Sequence, residues 1–96
     1  MIQSFDDAST KDVFHGTDSR AARRLPLAIW PVTRRKLDTV NAARSLADLR
    51  APPGNQLEAL KGNRTGRHSI RVNDQYRITF RFEDGNAYNV ICEDYH

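Results

Sequence analysis

Two stretches of seven residues, GRHSIRV from residue 66 and YRITFRF from residue 76, alternate apolar and polar side chains on either side of Asn73-Asp74-Gln75. A period of two flanking three turn-forming residues predicts an antiparallel β-hairpin. The loop length sets Val72 opposite Tyr76 and Ile70 opposite Ile78, so that His68, Ile70, Val72, Tyr76, Ile78, Phe80 and Phe82 share one face. A slip of one residue would turn all of them to solvent, which is why a half-buried sheet holds its register. The same register places Arg71 opposite Arg77 and Arg67 opposite Arg81. Like charges directly across a ladder are destabilising by a few tenths to about 1 kcal/mol. An anion is therefore expected against this face, with phosphate as the favoured source and a solvated edge of splayed arginines as the alternative.

Asp84-Gly85 is a two-residue turn signal that adds a further strand. With no bulge, Arg77 falls opposite Cys92 on a face shared with Tyr88, Val90, Asp94 and His96, while Ala87, Ile91 and Tyr95 take the core side. The first half of the chain has helical spacing instead. A short strand is expected at Ile2 to Phe5, then a helix capped by the Ser9 hydroxyl. A second helix is expected within Leu27 to Ala43, with Leu27, Trp30, Leu37 and Val40 along one face. Pro31 requires that this helix bend there or begin at Trp30-Pro31. The stretch SLADLRAPPGNQLEALKGN reads as a long surface connection. The expected architecture is α+β, as a single domain spanning residues 1 to 96.

Composition excludes several classes of function. With 39% hydrophobic and 28% charged residues, the chain is that of a folded globular protein rather than a disordered one. It has neither an apolar run long enough for a membrane span nor the basic start of a secretion signal, and a cytoplasmic location is expected. The single cysteine, Cys92, fits a reducing compartment. Twelve of the fifteen basic residues are arginine, from codon bias or from selection for anion binding. His15, His68, His96 and Cys92 lack metal-ligand spacing, and LKGNRTGRHS is neither a Walker loop nor a dinucleotide fingerprint, so no metal and no cofactor are expected.

What remains suits metal-free cleavage of RNA through its own 2′-hydroxyl, which needs a base, cationic donors for the phosphate and an acid for the departing 5′-oxygen. Lys61, Arg71 and Arg77 supply donors, and Glu58, Asp94 and His96 are the proton carriers available. Tyr95 can stack on an unpaired base. Each also has a plainer reading: Glu58 and Lys61 as i, i+3 partners on a turn, Tyr95 as core, and His68 as a buried or edge aromatic.

The segment PPGNQLEALKGNRTGRHSIRVNDQYRITF, from Pro52 to Phe80, together with the terminal EDYH, resembles the HigB branch of the RelE superfamily of bacterial type II toxins; the similarity runs more weakly through RKLDTVNAARSLADLR and the opening MIQSF. The resemblance implies a RelE-like fold, with N-terminal helices on one face of a twisted antiparallel sheet. It implies metal-independent cleavage of messenger RNA on the ribosome, and neutralisation by a helix-turn-helix, HigA-like antitoxin whose complex with the toxin binds operator DNA through the antitoxin. It further implies that Lys61 and Arg77 steady the phosphate, that Tyr95 orients or stacks on a base, and that Asp94 and His96 belong to the C-terminal catalytic group, with His96 handling a proton. Arg64, Arg67, Arg71 and Arg81 are the expected RNA-binding residues. Glu58 stands where some relatives carry histidine, which leaves the base open between Glu58 and the Asp94–His96 pair. The rival readings are a related toxin acting on another target, such as DNA gyrase, and a non-catalytic RNA-binding module.

Overall fold

The computed structural model describes residues 1 to 95, so the role expected of His96 lies outside the described residues. Asp7, rather than Ser9, caps the first helix, α1 (Ala8–His15): its extended backbone turns Oδ1 to accept the Thr10 N–H at 2.9 Å. Ser9 is instead buried inside the first turn. A single 3-10 turn, Leu27–Ile29, precedes the second helix, α2 (Trp30–Ala42), which begins where Pro31 lacks no needed N–H. Leu27 therefore leaves the expected apolar face and is 59% exposed, whereas Leu37 and Val40 are fully buried.

Four antiparallel strands form the sheet in the order β1 (Glu58–Ala59), β2 (Arg67–Arg71), β3 (Tyr76–Glu83) and β4 (Asn86–Asp94). The β2–β3 hairpin has the expected register, Ile70 to Ile78, Arg71 to Arg77 and Arg67 to Arg81. In place of a first strand, residues 2 to 5 make two isolated parallel bridges to β4, Ile2 to Ala87 and Phe5 to Val90.

The β3–β4 register differs from expectation because of a bulge. Arg81 pairs with Tyr88 and Thr79 with Ile91, which leaves Phe80 facing both Asn89 and Val90. Asn89 adopts φ 55, a left-handed conformation that asparagine tolerates better than most residues. The N-terminal segment holds it there: the Asn89 N–H donates to Ser4 Oγ at 2.8 Å, and its side-chain amide to Asp6 Oδ1 at 2.9 Å. The extra residue inverts the alternation beyond it. Val90 and Cys92 enter the core, Glu93 pairs with Arg77, and Asp94 pairs with Tyr76 instead of joining the arginine face.

The helices cover the apolar face, where Val13, Leu37, Val40 and Leu49 meet Ile70, Ile78, Phe80 and Val90. The connection after α2 is more than a surface loop, since Leu49 and Asn55 are both fully buried. Asn55 organises it, donating to the carbonyls of Leu49 at 3.2 Å and Ala51 at 3.1 Å and accepting from the Lys36 ammonium on α2. Burial pushes the Cys92 thiol up to about 12.

Replacing Asn55 by Ala strands two carbonyls and an ammonium. The expected loss is about 2–3 kcal/mol in urea unfolding, with an unchanged m-value; a loss below half a kcal/mol would show that water replaces the amide. Because its thiolate is disfavoured, Cys92 is expected to resist iodoacetamide in the native protein at about pH 8 and to react on unfolding. Mass-spectrometric counting of alkylated thiols checks this.

A candidate site on the arginine face of the sheet

Opposite the helices, β2, β3 and β4 present Arg67, Ser69 and Arg71, then Arg77, Thr79 and Arg81, then Tyr88, Ile91 and Glu93. Arg77 is the most enclosed of the charged residues on this face, at 7% exposure. A charge so withdrawn from water must be compensated within the protein. Its Nε donates to Ser69 Oγ at 2.8 Å, and its Nη2 to the carbonyls of Gln56 and, at 3.4 Å, of Ser69. Gln56, with φ 45 at the end of the Pro53–Asn55 turn, brings that carbonyl across the sheet. Nη1 has no acceptor among the described residues.

Strand β1 pairs Glu58 with Ser69, which puts the carboxylate on this face, 3.6 Å from Arg77 Nη2. Glu58 thus has Arg77 as its ion-pair partner, not the Lys61 of the expected turn. The Arg77 guanidinium carbon lies 5.3 Å from the centroid of the Tyr95 ring. Tyr95 is 41% exposed, and its N–H donates to the Gln75 carbonyl at 2.7 Å. It therefore stands beside the arginines, where the bulge places it, and not in the core as the unbulged register requires.

Of the six residues singled out for catalysis, Glu58, Arg77 and Tyr95 come together around one guanidinium. Lys61 follows β1 as an exposed cation whose ammonium has no ion-pair partner among the described residues. Asp94 accepts a hydrogen bond from Gln75 Nε2 at 2.8 Å, on the strand position facing Tyr76.

The four remaining arginines are each paired. Arg64 bonds Glu93 at 2.5 Å and Thr79 Oγ1 at 3.3 Å, and the Glu93 hydrogen bond holds its guanidinium above its ordinary pKa. Arg67 reaches Asp6 at 3.2 Å, Arg71 pairs with Asp74, and Arg81 pairs with Glu83 while lying 4.5 Å from the Tyr88 ring centroid. Carboxylates of the protein itself thus supply the anions that the opposed arginines were expected to draw from phosphate. Glu93 and Ser69 are the partners that sequence reasoning missed; Glu93 was hidden by the bulge, and Ser69 by its ordinary place in an alternating strand. Among the described residues, no three His, Cys, Asp or Glu side chains gather as metal ligands.

The architecture is shared with two solved structures, one of them a toxin by name. A YoeB–YefM complex from Staphylococcus aureus aligns over 100% of this chain and 98% of its own at a TM-score of 0.61 and 16% identity, and a YoeB/ParE toxin from Agrobacterium tumefaciens over 98% and 99% at 0.53 and 17%. At those identities the likeness is one of fold. Residues 3–96 match the family model of the HigB-like toxin, a RelE-like toxin of type II toxin–antitoxin systems, and the chain belongs to that family. It is similar to Toxin HigB-1 of Vibrio cholerae, 45% identical over 76 residues that cover 79% of this chain and 80% of the relative. It is also similar to Endoribonuclease HigB of Proteus vulgaris, 51% identical over 41 residues, 43% of this chain and 45% of the relative.

Substituting Arg77 by Met leaves the Ser69 hydroxyl and the Gln56 carbonyl without their donor. The expected loss is about 2–4 kcal/mol, with a smaller loss for Arg77→Lys, which still reaches one acceptor. Urea titrations of both variants check the order; equal stability of Met and wild type would show that the buried guanidinium organises nothing.

Proposed function

We propose that this toxin is an endoribonuclease that cuts messenger RNA on the ribosome without a metal ion. The 2′-oxygen attacks the adjacent phosphorus while its proton passes to a base; the bond from phosphorus to the 5′-oxygen breaks, and that oxygen takes a proton from an acid. The products are a 2′,3′-cyclic phosphate and a 5′-hydroxyl. The observation that carries the proposal is the convergence of Glu58, Arg77 and Tyr95 on one exposed face. It is supported by similarity to a relative that bears the name endoribonuclease.

In this reading, Arg77 is fixed in advance, with its Nη1 hydrogens left for a phosphate oxygen, which is how a donor stabilises developing charge without reorganising. Lys61 is the exposed second cation. Tyr95 stacks on a base beside the scissile bond. Proton transfer falls to Glu58, Asp94 and His96: a carboxylate at 58 can accept the 2′ proton but cannot act as the cation that a protonated histidine would be. Arg64, Arg67, Arg71 and Arg81 line the path of the strand, exchanging carboxylate partners for phosphates. The ribosome holds the RNA in line, an ordering that lowers such barriers by several kcal/mol. The antitoxin that pairs with this toxin is proposed to be HigA-like, with a helix-turn-helix fold and operator-binding capacity, and the toxin to act in the cytoplasm.

Purified protein incubated in EDTA with messenger RNA is expected to generate new 5′-hydroxyl ends only when programmed ribosomes are present. Efficient metal-dependent cutting of naked RNA would refute the proposal. His96→Gln is expected to lower cutting at least about 10²-fold, and Arg77→Lys about 10²- to 10³-fold. Glu58→Gln identifies the base: a comparable fall assigns it to Glu58, and retained activity to the C-terminal residues.

A further inference from the structure

On the far side of β1 from Glu58 lies a cavity of about 380 Å³ lined by Arg50, Pro53, Gln56, Leu57, Ala59 and His68. Its size is within the range of small-ligand sites, and its lining is half apolar and half polar. Pro53, Leu57 and Ala59 provide the apolar half. His68 faces Ala59 across the β1–β2 ladder, with its Nδ1 buried and without a hydrogen-bond partner. Where Nδ1 is the unprotonated ring nitrogen, the imidazole carries its proton on Nε2. Nε2–H is then the donor left to meet an occupant, alongside the Gln56 amide and the exposed Arg50 guanidinium.

We propose that this cavity is a nucleotide subsite, which takes the base of an RNA residue next to the scissile phosphate. The inference rests on the nuclease reading above and extends it. What ties the cavity to RNA is that it shares a wall with the site. Within four consecutive residues, Gln56 gives its carbonyl to Arg77, Leu57 and Ala59 line the cavity, and Glu58 lies against Arg77. Strand β1 is the edge of the sheet, so a chain leaving the Arg77 phosphate over that edge descends into the cavity. A flat heteroaromatic ring can lie on Leu57 and Pro53, hydrogen-bond to His68 and Gln56, and leave its own phosphate to Arg50.

The test uses the full-length toxin and a short RNA carrying 2′-O-methyl groups, which cannot be cut. The His68 imidazole resonances are followed by NMR during titration. They are expected to shift in saturable fashion. Arg50→Ala, and His68→Phe, which keeps a flat ring but loses the donor, are each expected to weaken binding about tenfold, whereas Arg23→Ala, a charge loss outside the cavity, is expected to have little effect. In ribosome-programmed cleavage, the same two cavity variants are expected to alter base preference at one position beside the cut. Unshifted His68 resonances with unchanged preference would overturn the subsite, as would cavity variants that weaken antitoxin binding alone, since the cavity would then belong to the antitoxin. Because the titration needs no cutting, it decides the subsite even if wild-type protein fails to cleave, the result that would defeat the nuclease reading instead.

Discussion

The buried guanidinium of Arg77 is the constraint around which the functional face is arranged. An arginine so enclosed is tolerated only if its charge is compensated, and here its Nε and Nη2 donors are met by residues from two elements, Ser69 on β2 and Gln56 at the end of the connection. Those contacts fasten the connection to the sheet, and β1 follows directly from Gln56, so the position of Glu58 is a consequence of how Arg77 is held. Asn55, one residue earlier, ties the same connection to α2 through Lys36. A hydrogen-bonded route therefore runs from the helical layer to the face that carries the site, and it fixes the guanidinium before any ligand arrives. Such pre-arrangement is what distinguishes a charge that stabilises a transition state from one that merely attracts a polyanion.

Much of this was legible in the residues. The first hairpin followed from its loop length, because a three-residue turn leaves one register that buries both apolar faces. The start of α2 at Trp30-Pro31 is one of the two courses that the missing proline N–H left open, the other being a bend at that point. The second hairpin misled because the bulge rests on Asn89, held by Ser4 and Asp6 more than eighty residues away in sequence. A local reading of alternation has no access to that interaction, and beyond it each side chain changes face. The effect on the candidate site is mixed. Tyr95 comes to Arg77 because of the bulge, while Asp94 is turned toward Tyr76. The buried parts of the connection were illegible for a similar reason, since Asn55 is satisfied by two carbonyls that only the folded loop assembles.

The paired arginines bear on how such a face would handle RNA. Their ion pairs are largely at the surface, where each is worth only about 0–1 kcal/mol, so a carboxylate can give way to a phosphate at little net loss. The gain is correspondingly small. A phosphate that displaces Asp74 from Arg71 or Asp6 from Arg67 wins only the difference between two anions, and the released carboxylate repels the incoming strand. A face built in this way has modest affinity for free RNA despite its arginine content, although Lys61 and Arg77 Nη1 remain uncommitted among the described residues. That balance accords with the proposed dependence on the ribosome. If the machine that presents the strand also orders it, the toxin need only contribute the few groups whose contacts strengthen as the phosphodiester reacts, and tight binding along the whole face would add nothing to the chemical step.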